Sequence, residues 1–482
     1  MIENKLLKLL KTLSQKELIR FEDFVKSPYF NSHKQVISLF EYLKNYAPEF
    51  DNSKKLEKSY IYGQLYKSKA YDDNFFASII SKLLKLLEDF LAYEAFNEKI
   101  GEKELLILHN MRKRKLEKHF RAYEKQLEKQ LFDHVQQSAD NHYLSMQFAE
   151  EQDKWFIEQG GRVHHIALQL QSDRLDLYYL IEKLKIACDM LNRNRVSNAT
   201  YVCNWINEIY QIAESESITN ENQLLSAYHL TYAMLSERSD DKYLKLRQFL
   251  ENNLNYLSRE DLISLYGYAL NFCIGLVNSG KLMYFSEILV LYKSMLKEDL
   301  LLIEGFLPAW EYKNIVTAAL RSNDLQWAEN FLETYKSKLE ASQQENAYTY
   351  NLASFYFECS RYKEALRLLH NVVFVNPTYH IGAKIIQVKI FIESGDWETA
   401  LSALEAFAAY IRRNKEIAEY QKKSNLNFIA ASKSLVQLVS MSEWKADNKL
   451  IALKNAHNTK IENLSPLPSV DWLKEVYDKY LG

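Results

Sequence analysis

Apolar residues recur at intervals of three and four through almost the whole chain, the spacing that gathers them on one face of an α-helix. Leu18, Phe21, Phe24 and Val25 mark a first amphipathic helix, opened by Ser14 and Glu17 at capping-box spacing and stopped at Ser27-Pro28-Tyr29-Phe30-Asn31. Val36, Ile37, Phe40 and Leu43 mark a second, which Asn31 or Ser32 can cap and Pro48 closes. A helix over 56–66, a polar turn at 67–70 and a longer helix over 72–90 follow. Residues 102–137 read as one long helix with the stripe Leu116, Phe120, Tyr123, Leu127 and Leu131. Ser138 or Asp140 starts another, which ends near Gly160-Gly161. Beyond it the pattern falls into helix pairs: 175–191 with 199–213, 224–235 with 243–254, and 262–277 with 284–296. A long helix over 415–441, a loop containing Leu464-Ser465-Pro466-Leu467-Pro468, and a short helix over 471–480 that docks back through Trp472, Val476 and Tyr477 complete the chain.

The strongest periodicity lies at 346–412. Leu352, Ala353 and Tyr356 fall in one helix and Ala365, Leu369 and Val372 in the next, with Pro377 just past its end. Ala365 recurs as Ala400, followed by Leu404 and Phe407, and is preceded by Ala328, followed by Leu332 and Tyr335. Asn323-Asp324 and Ser394-Gly395-Asp396 sit between paired helices, where Gly ends one helix and Asp caps the next. This pattern resembles the tetratricopeptide repeat, at a spacing slightly longer than its period of about 34 residues. The resemblance implies an α-solenoid of antiparallel helix pairs whose concave groove is lined by the first helix of each pair. In that register the groove carries Trp310, Lys313, Asn314, Thr317 and Arg321, then Tyr350, Asn351 and Ser354, then Lys389. Tetratricopeptide domains that clamp a C-terminal carboxylate place Lys, Asn, Asn, Lys and Arg at five groove positions. Here Lys313 and Asn351 match, whereas Thr317, Gly382 and Ile386 depart from that set.

Composition supports an all-α chain, since 482 residues contain only 11 Gly and 6 Pro, with no proline between Pro48 and Pro308. The expected organisation is a helical N-terminal domain over 1–97, long connecting helices over 98–160, tetratricopeptide-like repeats over 161–412, clearest at 309–412, and capping helices over 413–482. The opening, with its Ser-Pro-Tyr-Phe-Asn turn after an amphipathic helix, is also similar to that of an uncharacterised family of bacterial proteins with helical repeats further on. That likeness spans most of the chain and implies no activity. A formal charge of −2 gives no global field toward nucleic acid or an anionic membrane. Cys188, Cys203, Cys273 and Cys359 lack any Cys-x-x-Cys pairing and read as small buried side chains in a reducing compartment. The first residues, Met1-Ile2-Glu3-Asn4-Lys5, carry an acid and no signal-peptide core, and no run reaches the apolar length of a membrane span. A cytoplasmic protein is expected.

No nucleophile elbow, zinc spacing or phosphate loop stands out, so neither an enzyme nor a cofactor or metal site is predicted. Gly160-Gly161-Arg162-Val163-His164-His165 lacks ligand spacing and reads as a helix end. Two features could serve nucleic acid, although the first reads foremost as a plain helical domain and the second as a solvated helix face. The outline of 56–90 is that of a helix-turn-helix, although Asp72-Asp73 put carboxylates where phosphates would approach. Arg112, Lys113, Arg114, Lys115, Lys118 and Arg121 form the densest basic cluster, interleaved with Glu117, Glu124 and Glu128. The function expected is a protein-interaction scaffold or adaptor that holds a protein or peptide in the groove. The alternative is a nucleic-acid-binding regulator that uses 56–90 or 112–121, with the repeats as a sensor.

Overall fold

A computed structural model of the chain describes residues 5–50, 54–67, 70–99, 101–132, 138–197, 199–214, 222–371, 377–442 and 447–481. Among them are 23 α-helices and no β-strand, as the scarcity of Gly and Pro predicts. The chain divides into two compact units, Met1–Leu180 and Ile181–Gly482. The division falls within the helix Ile166–Val196, whose sequence contains neither Gly nor Pro.

In the first unit, α1 (Lys5–Leu10), α2 (Gln15–Lys26), α3 (Lys34–Lys44), α4 (Lys58–Leu65) and α5 (Asp73–Glu98) enclose one core. Phe21 sits at its centre, its ring 5.0 Å from Phe40 and 5.2 Å from Phe90. The capping box at α2 forms as predicted, with Ser14 N donating to Glu17 Oε2 at 2.7 Å and Glu17 N donating to Ser14 Oγ at 3.3 Å. α3 departs from expectation, because its cap is His33, without a side-chain bond, rather than Asn31 or Ser32. Asn31 is buried, donates to Val25 O at 2.8 Å and accepts from His33 N at 2.9 Å. It therefore ties the Ser-Pro-Tyr-Phe-Asn turn to the end of α2.

The single helix expected over 102–137 is two, α6 (Glu102–Lys113) and α7 (Glu117–Phe132), because Lys115 takes a left-handed backbone at φ 56°. The break leaves Leu116 exposed and lets Phe120 stack on Trp155 of α8 (Ala139–Glu158) at 4.4 Å. Residues 133–137 lie outside the described part. Arg112 is buried, not on the basic solvent face, and pairs with Glu151 at 2.7 Å and with Glu158. α9 (Ile166–Val196) runs nine residues upstream of its predicted start.

The second unit continues through α10 (Ile206–Ala213), α11 (Gln223–Glu237), α12 (Asp240–Asn253), α13 (Arg259–Asn278), α14 (Tyr284–Lys297), α15 (Ala309–Arg321) and α16 (Leu325–Tyr335). It closes with α17 (Ala341–Glu358), α18 (Tyr362–Asn371), α19 (Pro377–Glu393), α20 (Trp397–Arg413), α21 (Glu419–Ser442), α22 (Asp447–Asn463) and α23 (Val470–Leu481). The helix predicted over 199–213 begins only at Ile206, after Trp205 turns the backbone to φ 61°. α22 replaces part of the expected loop. From α11 on, neighbours in sequence pack as pairs, and α15, α17 and α19 also pack in succession on one another. Ala328, Ala365 and Ala400 are fully buried on α16, α18 and α20, as their recurrence predicts.

The pairs α15/α16, α17/α18 and α19/α20 turn in the same way. Asn323, Ser360 and Gly395 are left-handed at φ 59°, 56° and 71°. The next residue then donates five residues back: Asp324 to Ala319 O, Arg361 to Tyr356 O and Asp396 to Phe391 O, at 3.0, 2.8 and 2.9 Å. That bond satisfies a carbonyl left over at the helix end and fixes the reversal. Gly280, at φ 96°, makes the same turn between α13 and α14, with Lys281 N donating to Leu276 O at 3.0 Å. Asp324 and Asp396 then cap α16 and α20. Val372 lies outside the described residues, and Pro377 opens α19, where a missing N–H costs nothing.

Candidate binding groove

Helices α15, α17 and α19 face one concavity of about 160 Å³. α15 contributes Thr317, Leu320 and Arg321, and α17 contributes Tyr350, Ser354, Phe357 and Glu358. α19 adds Gly382, Ile385, Ile386 and Lys389. Five of the nine residues assigned to the groove from sequence, Thr317, Arg321, Tyr350, Ser354 and Lys389, thus line one pocket. Trp310 and Asn314 are exposed on α15 outside that lining. Asn351 is not a groove residue: it is 1% exposed, and its Nδ2 donates to Ala347 O at 2.8 Å within the helix packing.

Tyr350 occupies the centre because Gly382 leaves room for it. A β-carbon at position 382 would lie 2.6 Å from the Tyr350 ring, so only glycine lets the ring rest against the α19 backbone. The departure from the clamp pattern at this position is therefore a packing requirement. Lys313 Nζ lies 5.2 Å from the centroid of the same ring, and burial lowers the pKa of this lysine.

Lys389 is the unusual group. It is 6% exposed, with Nζ 4.9 Å from the Trp472 ring centroid and 6.0 Å from that of Phe357. Among the described residues its ammonium has no hydrogen-bond acceptor and no carboxylate at ion-pair distance. Burial, helped by the nearby Arg321 charge, lowers its pKa to about 8, while Glu358, Glu475 and Glu393 act in the opposite direction. Trp472 is held in place by Glu393, one turn beyond Lys389. The indole Nε1 donates to Glu393 Oε1 at 3.0 Å, Lys479 Nζ to Oε2 at 2.8 Å, and Tyr480 OH to the Glu393 carbonyl at 3.2 Å.

Helical spacing from Tyr350 and Ser354 reaches Phe357 and Glu358, so that wall was within reach of the sequence. Trp472 was not, because nothing local ties it to Lys389. Elsewhere, the Gly160 to His165 segment forms a helix end, with His165 stacked on Phe156 at 4.2 Å and its Nδ1 3.2 Å from Asp153 Oδ1. Cys188 and Cys273 are buried, but Cys203 and Cys359 are partly exposed, contrary to expectation. Among the described residues no cluster of His, Cys, Asp and Glu is arranged to hold a metal, and no helix is long and apolar enough to cross a membrane. Comparison with known protein families, curated proteins and solved structures finds no match to this chain.

Proposed function

We propose that this chain is a non-catalytic, cytoplasmic interaction scaffold of tetratricopeptide-like organisation, which holds an extended segment of a protein partner along α15, α17 and α19. One observation carries the proposal: three successive stacked helices contribute hydroxyl, aromatic and cationic side chains to a single concavity. Repeated first helices that share one surface are how helical solenoids present an extended binding face. Capture from a native lysate by the full chain tests it, against a Trp310→Ala, Arg321→Glu variant. Both side chains are exposed, so the fold tolerates the changes. A protein retained by the wild type and lost by the variant is the expected result. Identical protein recovery by both would sink the groove. Recovery of nucleic acid that salt strips away would favour the exposed Lys113, Arg114, Lys115 and Lys118 instead.

A further inference from the structure

We infer that the Lys389 pocket recognises one carboxylate, carried on the side chain of an acidic residue in a peptide lying along the groove. The inference rests on the scaffold function proposed above. Lys389 is almost wholly buried and its ammonium meets water only at the concavity it lines, with no hydrogen-bonding partner among the described residues. A charge so poorly solvated destabilises a fold, and two aromatic faces offset only part of that. Such a group is stabilised fully by an anion that enters the concavity it borders.

The lining selects the kind of anion. Among the residues that line the concavity two cations, Lys389 and Arg321, face one carboxylate, Glu358. Glu393 and Glu475 also act on the Lys389 amine, but Glu393 is itself engaged by Trp472 and Lys479. So small an excess of positive charge suits a singly charged carboxylate better than a doubly charged phosphate. The hydroxyls are already engaged: Thr317 Oγ1 donates to Lys313 O at 2.8 Å, Ser354 Oγ donates to Tyr350 O at 3.0 Å, and the Tyr350 hydroxyl interacts with Ser354. Two cations therefore remain as donors, enough for two carboxylate oxygens. Leu320, Phe357 and Ile385 supply apolar wall for the methylene stem of a glutamate.

The test uses the full-length wild-type chain and the reactivity of Lys389 itself. Trace labelling with acetic anhydride, read by mass spectrometry, reports how available the Lys389 amine is at pH 8. N-acetylglutamate α-amide at ~20 mM, a concentration suited to a single weak subsite, is expected to slow labelling roughly threefold or more. The glutamine analogue is expected to have no effect. Protection should fade as pH rises past about 8, because the site binds its anion through protonated Lys389. Arg321→Gln, at an exposed position, should reduce the fold-protection measured against that variant's own unprotected rate, with a cooperative thermal transition showing that it is folded. Equal protection by the glutamine analogue, or none by either, overturns the carboxylate site. Stronger protection by N-acetylalanine, whose only carboxylate is terminal, overturns the side-chain assignment. Because these probes are free of any partner, their failure is separate from failure of the lysate capture, which judges the groove as a whole.

Discussion

Lys389 is placed where its charge is poorly solvated, and that makes it a liability for folding. Its pKa falls from 10.5 to about 8 in the folded chain. Below pH 8 the lysine is protonated in both states, and the folded state bears the full cost of burying the charge. Between pH 8 and 10.5 the unfolded chain binds more protons than the folded one, so stability contributed at this residue rises with pH. Lys389→Met keeps the volume and removes the charge. It should therefore raise stability at pH 7, by on the order of 1–3 kcal/mol. Urea unfolding at pH 7 and again near pH 10 measures this, and the gain should shrink at the higher pH. A gain of equal size at both would mean that packing against Phe357 and Trp472, not charge, sets the cost.

At the scale of the element, the repeated turn is the device that keeps the helix pairs in register. Its left-handed residue differs from pair to pair: Asn323, Ser360 and Gly395. A side chain there strains the backbone, whereas glycine adopts the conformation freely. Ser360→Gly should accordingly stabilise the chain by about 0.5–1 kcal/mol, and Gly395→Ala should destabilise it by about 1–2 kcal/mol. A β-carbon at 395 meets only Trp397, at 4.0 Å, so backbone strain and not crowding would account for the loss. Thermal unfolding of both variants checks the pair, and a change of the same sign in both would contradict this account. The turns at Asn323-Asp324 and Ser394-Gly395-Asp396 were legible in the sequence, because Asn, Gly and Asp mark them locally and Ala328 and Ala400 recur with them, whereas Ser360-Arg361, which makes the same turn, carries no such residues. Features decided by distant partners were not legible either. Arg112 reads as a solvent cation until Glu151 and Glu158 of α8 fold over it. The break at Lys115 carries no Gly or Pro, and α7 returns on α8 through a shared core in which Phe120, Leu127 and Leu131 meet Leu144, Phe148 and Trp155. In the groove, the register fixed which positions of α15, α17 and α19 converge, but the burial of Asn351 and Lys389 depends on neighbours the register does not contain.

Across the second unit, stability in a stack of helix pairs is set mainly by nearest neighbours, so an exposed end needs a cover. α23 serves as that cover for α19, α20 and α21. Trp472, Leu473, Val476 and Leu481 are buried in the C-terminal core with Leu404, Phe407, Phe428 and Leu435. Tyr480 meets the Trp397 ring edge-on at 5.1 Å, and Glu393 accepts three hydrogen bonds from α23. Burial of those four apolar side chains contributes on the order of 5–10 kcal/mol. Deleting residues 470–481 should remove that contribution where it acts. Amide hydrogen exchange in the shortened chain is expected to speed up most in α19, α20 and α21 and progressively less through α17 and α15 toward α13. The same deletion returns water to the Trp472 side of Lys389, so the lysine's pKa should climb from about 8 back toward 10.5. Acetic anhydride labelling across pH reads that shift directly. Graded exchange together with the pKa rise would establish α23 as both the end of the stack and the lid on the Lys389 amine. Uniform acceleration from α11 to α22 would instead make the second unit one cooperative body, in which no single helix acts as the cover.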